Sequence, residues 1–520
     1  MRSIALRWPV GRRALALVLA AQVFALASFG STKPRYGGAL RVEFLAAPVS
    51  LDPRQGKIGS REVATAQRLD SLLFDRLISL DNYGRFVPQL ATEWSHDASL
   101  RRWQFTLRAG VKFSDGTQFS AAEAAVALAP LLPEGVQVSV SGSNLAFQSA
   151  EPRPDLLEVL ASGKLFLYHA LPDGTLAGTG AFILDETSRI AKLAGTDNFT
   201  ASQPTTQHLR FVANEDCWAG RPFVDAVEVT LGVPPLRALF DLQVGKADLV
   251  ELAPDFVRRA NQANVRVWAS SPLTLYALRF DDSQPAASNE VLREAVSLSL
   301  DRNTMASVLL QKQAEPAAAL LPQWLSGYAF LHHLEMNFDR AKELRASLQA
   351  NLASGTAPLR LQTDAAGDLA HLLAERVAIN ARQTGFSVRP LTRAPQRDAG
   401  ARSTEPAELH LFAWRYSSLS PGEELQSLVK AAHLDSAKEG NPFDPERRYS
   451  WERKLLEERK LMPLVVLPDY AGVATNVRDW QPNQWGEWHL ADVWLEPAGT
   501  QPGTSKSAAP TSSPSSGARP

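Results

Sequence analysis

The chain has 520 residues, 45% hydrophobic and 21% charged, which is ordinary globular composition and excludes the disordered and fibrous classes. With 54 basic and 55 acidic residues the formal net charge is -1, so no overall field draws in nucleic acid or acidic lipid. A single cysteine, Cys217, excludes an internal disulfide, a cysteine-rich zinc site and a CxxC redox pair, and reads as a buried, inert thiol.

In chain order, Arg2, Arg7, Arg12 and Arg13 precede an apolar run from Ala14 to Ala27 that is broken only by Gln22. That run is shorter than the ~20 residues a spanning helix needs, and Ala25-Leu26-Ala27 offers a small-x-small cleavage site. Residues 1–27 therefore read as a signal peptide, the alternative being an uncleaved anchor. Ala39 to Leu45 reads as a strand. Arg61 to Ser79 carries a helical apolar stripe through Ala64, Leu69, Leu72, Leu73 and Leu77. Trp103 to Leu107 alternates like a half-buried strand, and Ser120-Ala121-Ala122-Glu123 is a capping-box pattern after the turn at Ser114 to Thr117. Val227 to Leu231 predicts a strand, Phe240 to Ala247 a helix, Asp248 to Val250 a strand, and Val291 to Leu310 one long helix. Leu359 to Thr363, Leu369 to Thr384 and Phe386 to Leu391 form a β-α-β unit. This alternation indicates a mixed α/β or α+β protein. Residues 498–520, rich in Ser, Pro, Ala and Gly, read as a disordered tail.

No GxSxG elbow, HExxH, Walker loop or GxGxxG is present, so the sequence points away from an enzyme. His332 and His333 with Glu335 are the one ligand-like cluster. Neighbouring histidines point to different sides, which favours a surface loop over a metal site. No cofactor or metal is expected.

Several ordered segments resemble the family 5 extracellular solute-binding proteins, the oligopeptide- and dipeptide-type binding proteins of ABC importers. They include Tyr36-Gly37-Gly38-Ala39-Leu40, Ser50-Leu51-Asp52-Pro53, Phe86 to Trp94 and, most closely, Leu107-Arg108-Ala109-Gly110-Val111-Lys112-Phe113-Ser114-Asp115-Gly116-Thr117. Gly178-Thr179-Gly180-Ala181-Phe182, Asn214 to Asp225, Leu242 to Leu249 and Leu292 to Arg302 continue the series. The resemblance implies a two-lobed periplasmic-binding-protein fold (type II) with a hinge. Lobe I would span 28–268 with an extra subdomain at about 54–175, lobe II 269–463, and a return segment 464–497. It also implies a periplasmic monomer that encloses a peptide or similar small ligand and presents it to an ABC permease. A sensor or interaction protein on the same scaffold is the other reading.

In peptide-binding relatives an aspartate following a Trp motif holds the ligand ammonium group. The matching stretch is Leu411 to Pro421, which keeps Trp414 but places Ser417 at the aspartate position, with Glu423 or Glu424 as acids that could swing in. Arg415 could instead pair with a ligand carboxylate or phosphate through its planar fork. Strand alternation puts Trp414 and Tyr416 on one face, as candidates for ligand stacking, and Arg415 on the other. The resemblance further implies that Ala47 and Val49 present backbone to the ligand.

Overall fold

The computed structural model describes residues 33–48, 50–54, 60–186, 188, 206–333, 335–351, 358–365, 367–391, 406–434 and 442–497. The expected signal peptide, the tail and Val49 lie outside the described residues.

A sheet of eleven strands forms the spine. Near one end Ala39–Glu43 lies parallel to both Ala226–Leu231 and Leu249–Leu252. At the other end Leu359–Thr363 lies parallel to Val388–Leu391 and to Leu409–Arg415. Two long antiparallel strands, Arg266–Phe280 and Leu461–Val473, run through both halves and join them. Between these strands the register shifts around Ala269, Pro272 and Thr274, where Pro272 faces Pro468. Neither proline has an N–H to donate, so the ladder is interrupted at this point. The neighbours change there too. On one side Leu461–Val473 pairs with Leu249–Leu252, and on the other Arg266–Phe280 pairs with Leu409–Arg415. The molecule is thus two-lobed, with two crossing strands whose ladder is interrupted between the lobes and shifts again at Tyr276 and Ala277.

Each lobe has its own core. The first packs Leu40, Val42, Phe44, Phe211, Val227 and Trp488; the second packs Leu278, Phe280, Val296, Leu373, Val377 and Leu409. A separate body in the first lobe has a four-stranded antiparallel sheet, Ala91–His96, Arg102–Leu107, Asn144–Ser149 and Val136–Ser141, in that spatial order. Its core holds Phe105, Phe113, Phe147 and Phe166. The strongest family-like segment serves this body: Val111 and Phe113 are buried, and Asp115 accepts the Thr117 N–H at 3.0 Å to close the turn. Ser120 caps helix Ala121–Leu128 as the pattern requires. Glu123 meets His169 at 2.9 Å instead of completing the capping box.

Two expected helices are shorter than their patterns. The first runs Ser60–Leu73, and Ile78–Leu80 then pairs with Phe86–Pro88. The helix stops because the Leu73 carbonyl accepts the Gly180 N–H at 3.0 Å instead of continuing the helical ladder. The second ends at Leu298, and Asp301 caps a new turn by accepting the Thr304 N–H at 3.0 Å. The helix expected at Phe240 to Ala247 lies earlier, at Pro235–Gln243, leaving Val244 to Ala247 outside it, and that expected at Leu369 to Thr384 runs Asp368–Gln383. Cys217 is half-buried rather than buried, and burial pushes its thiol pKa up.

The Gly178-Thr179-Gly180 segment fits tightly over the end of the first helix. A Cβ on Gly178 would overlap the Leu73 carbonyl oxygen, and one on Gly180 would lie 2.5 Å from the Leu72 oxygen. Between them Thr179 donates to Asp75 at 2.9 Å, and Trp218 donates to the same carboxylate at 2.7 Å. We expect Gly178→Ala to lower the denaturation midpoint by the equivalent of about 1–3 kcal/mol, the usual cost of overpacking. An unchanged midpoint in urea would show that this close approach is relieved at no cost.

Candidate ligand-binding site

Strand Leu409–Arg415 ends at the cleft between the lobes, with Thr274 opposite Arg415 and Leu275 opposite Trp414. The expected alternation is present. Trp414 and Tyr416 pack into the apolar cluster around Leu320, Leu425 and Trp451, while Arg415 faces the hinge. Tyr416 is buried and donates to the Leu320 carbonyl at 2.5 Å.

Arg415 belongs to a buried charge cluster. It holds Asp469, on the second crossing strand, through two contacts of 2.9 and 2.8 Å. Arg68, from helix Ser60–Leu73 in the first lobe, grips the same carboxylate and lies 3.7 Å from Glu251. Burial alone would raise the Asp469 pKa, but Arg415 and Arg68 outweigh it and hold the carboxyl below its usual range. Burial lowers the pKa of Arg68. One carboxylate therefore ties a helix of the first lobe to a strand end of the second.

The loop after Arg415 is organised by Glu424, in helix Pro421–Ala431. Its carboxylate accepts the Trp414 indole N–H at 2.7 Å, the Ser417 N–H at 3.3 Å and the Ser418 N–H at 2.7 Å. Burial pushes its pKa up. An acidic group therefore lies beside Ser417, one turn into the next helix, with its oxygens already occupied by the chain.

Arg415, Tyr416 and Ser417 line a cavity of about 40 Å³ between the lobes, walled also by Arg68, Trp324 and Trp485. At ~10–15 Å³ for each water centre, that is room for a few waters and no more. Trp324 and Trp485 lie 5.2 Å apart at 40°. Two side chains that line this cavity carry a buried donor with no hydrogen-bond partner, Arg415 Nε and Trp485 Nε1, while Arg68 Nη1 has only Glu251 at 3.7 Å. Trp414 is not among the cavity walls, and Ala47 packs against the first lobe's core. The two tryptophans were not legible in the sequence, because each lies in a loop-rich segment with no periodic signal and they meet only across the cleft.

The lobes also touch above the cavity. Arg153, in the extra body, is held by Asp155 at 2.9 Å and meets Glu423 of the second lobe at 2.9 Å. Ser420 donates to Asp155 at 2.6 Å, and the Arg153 guanidinium lies 4.1 Å from the centre of the Phe443 ring.

Replacing Asp469 by asparagine leaves two buried guanidinium groups sharing a neutral amide, and should cost about 3–5 kcal/mol of unfolding free energy. Because the Asp469 pKa is lowered by folding, its contribution is present above the ordinary carboxylate pKa of ~4 and fades as pH falls through the native value. The gap between wild type and Asp469→Asn, measured by urea unfolding, should therefore narrow in acid. A gap that widens below pH ~4 would contradict this assignment.

Comparison with known proteins agrees with this architecture. The family model for bacterial extracellular solute-binding proteins, family 5 Middle, matches residues 85–435. The nickel-binding periplasmic protein of Escherichia coli (strain K12) is 24% identical over 386 residues, covering 66% of this chain and 69% of the relative. The periplasmic murein peptide-binding protein of the same strain is 22% identical over 326 residues, covering 54% of this chain and 56% of that one. The chain thus spans between about half and two thirds of these relatives' length. Among solved structures, a dipeptide-binding protein from Pseudoalteromonas sp. SM9913 in complex with Met-Leu superposes with a TM-score of 0.70 at 15% identity, covering 88% of this chain and 100% of that one. With matching sequence segments in order, two lobes joined by paired crossing strands and a lined cleft between them, the chain belongs to the family 5 bacterial extracellular solute-binding proteins.

Proposed function

We propose that this chain captures a small, peptide-like solute between its two lobes and delivers it to the permease of an ABC importer, working in the periplasm after export through its amino-terminal leader. The observation that carries this reading is the pair of unmet donors, Arg415 Nε and Trp485 Nε1, on side chains that line a cavity between the lobes. Buried donors without acceptors are costly, so a guest bearing carboxylate or carbonyl oxygens is favoured there. Aromatic walls at Trp324, Tyr416 and Trp485 give the same guest apolar contact. The cavity is too small for a peptide in the described arrangement, so entry requires the lobes to part about the Pro272–Pro468 interruption. Closure then follows from a ligand's higher affinity for the closed form.

Export is supported by the relatives, which are periplasmic proteins by name. Among the described residues no helix is long and apolar enough to cross a membrane. The small volume and the Arg153–Glu423 contact favour a second reading, a sensor or interaction protein with a filled cleft. A thermal-shift screen with di- to pentapeptides separates the two. Peptide at about a hundredfold its Kd should add ~2.7 kcal/mol of stability. No stabilising peptide would remove peptide capture and leave the second reading.

Arg153→Ala tests closure directly. Loss of a charge-assisted bridge of about 1.5–3 kcal/mol should shift the unliganded protein toward the open form and weaken any peptide hit by about tenfold or more. Small-angle scattering should then show a larger radius of gyration without ligand. An unchanged radius and unchanged affinity would mean that this bridge does not hold the lobes together.

A further inference from the structure

Away from the cleft, the second lobe contains a pocket of about 160 Å³ that shares no residue with the inter-lobe cavity. It forms where the break after Leu298 turns the chain, so that Arg302, next to the helix-capping Asp301, points in from beneath strand Leu461–Val473. Arg302 is 7% exposed. Its Nε donates to the Pro463 carbonyl at 2.6 Å, and among the described residues its guanidinium has no carboxylate within ion-pair distance. Among the described residues the two terminal nitrogens of its fork make no hydrogen bond. Burial lowers the Arg302 pKa to about 10, so the group is still charged at neutral pH.

Apart from Arg302 the charged walls are balanced. Arg453 and Arg459 share the pocket with His332 and His333, against Glu335 and Glu457. Both carboxylates are drawn to the two other arginines: Glu457 lies 3.7 Å from Arg453, and Glu335 lies 3.5 Å from Arg459. Arg302 makes no ion pair of its own among the described residues, and Glu335, across the pocket, acts on it only at longer range. His332 stands tilted against Tyr449 with ring centres 5.2 Å apart, and its Nε2 is buried without a partner. Burial, His333 and Arg453 together lower its pKa. His332 is therefore neutral at neutral pH and offers its ring N–H as a donor, and among the described residues no group of three or more His, Cys, Asp or Glu side chains is placed to hold a metal ion.

A buried guanidinium loses its water shell and keeps its charge only at a cost, which a bound anion offsets. A planar fork with two free N–H groups matches the paired oxygens of an oxyanion. We propose that this pocket is a binding site for a small oxyanion of phosphate size, held by the Arg302 fork, with Arg453 and His332 at its sides. The anion is either free phosphate or the phosphate of a small monoester.

The test uses the full mature chain with inorganic phosphate and, separately, glycerol 3-phosphate, each against chloride at matched ionic strength. Binding is read by calorimetry and by phosphorus-31 line broadening. Saturable binding of phosphate is expected, with Arg453→Gln weakening it by ~tenfold through loss of one charge-assisted contact. Glu335→Gln should tighten binding a few-fold, because it removes a rim carboxylate and frees Arg459. Both substituted residues are at least partly exposed, so these variants keep the Arg302–Pro463 contact and the fold. Arg302→Lys, which retains charge but not the fork, should lose most of the affinity. Preference for glycerol 3-phosphate over phosphate would identify a monoester site, and the reverse a free-anion site. Absence of saturable binding beyond the chloride control overturns the proposal, as does phosphate binding that Arg453→Gln and Glu335→Gln leave unchanged.

Discussion

Asp469 is the point at which the two lobes are held to a common geometry. It lies on a strand that belongs to both lobes, and it takes one guanidinium from each side, Arg68 from the first and Arg415 from the second. Removing three ions from water costs several kcal/mol for each, and the attraction between them compensates only when the geometry is close. The cluster is therefore less a source of stability than a specification of position. One residue away, Pro468 faces Pro272 and leaves the main-chain ladder open. The backbone at the crossing is free to bend while the side chains define one favoured angle. A hinge needs both properties.

The same economy governs the neighbouring acids. Glu424 organises the loop from Ser417 to Ser418, and Glu423, the adjacent residue, reaches across the cleft to Arg153. Successive helical residues point in different directions, so one helix start serves both the loop and the contact between lobes. Burial raises the pKa of both carboxylates, as it does that of Glu452, which accepts the Leu320 and Leu321 N–H groups at 2.6 and 3.0 Å. The cleft is lined by groups whose bonding is nearly complete within the chain. The unmet donors at Arg415 and Trp485 stand out against that background.

Much of the scaffold was legible because its signals are local. The turn at Asp115 to Thr117, the Ser120 cap and the alternation around Trp414, Arg415 and Tyr416 depend on neighbours within a few residues. Helix ends were less legible. Ser60–Leu73 stops where Gly180, over a hundred residues away, takes the Leu73 carbonyl, and no periodicity carries that information. The candidate site was legible in part. Arg415, Tyr416 and Ser417 do line the inter-lobe cavity, but the partners that give them meaning, Asp469, Arg68, Trp324 and Trp485, come from three other segments. Ser417 in place of an aspartate read as a lost acid. Of the two nearby acids, Glu423 and Glu424, the structure places Glu424 against the same backbone, a choice visible only in three dimensions.

The central claim is that the lobes move as two bodies about the Pro272–Pro468 interruption and close over a guest. Spin labels at Val126→Cys in the extra body and Arg447→Cys in the second lobe, both at exposed positions, report that distance directly. Pulsed electron paramagnetic resonance should give at least two separations without ligand, and a shift of population to the shorter one when a stabilising solute is added. A single separation, unchanged by any such solute, would contradict the account.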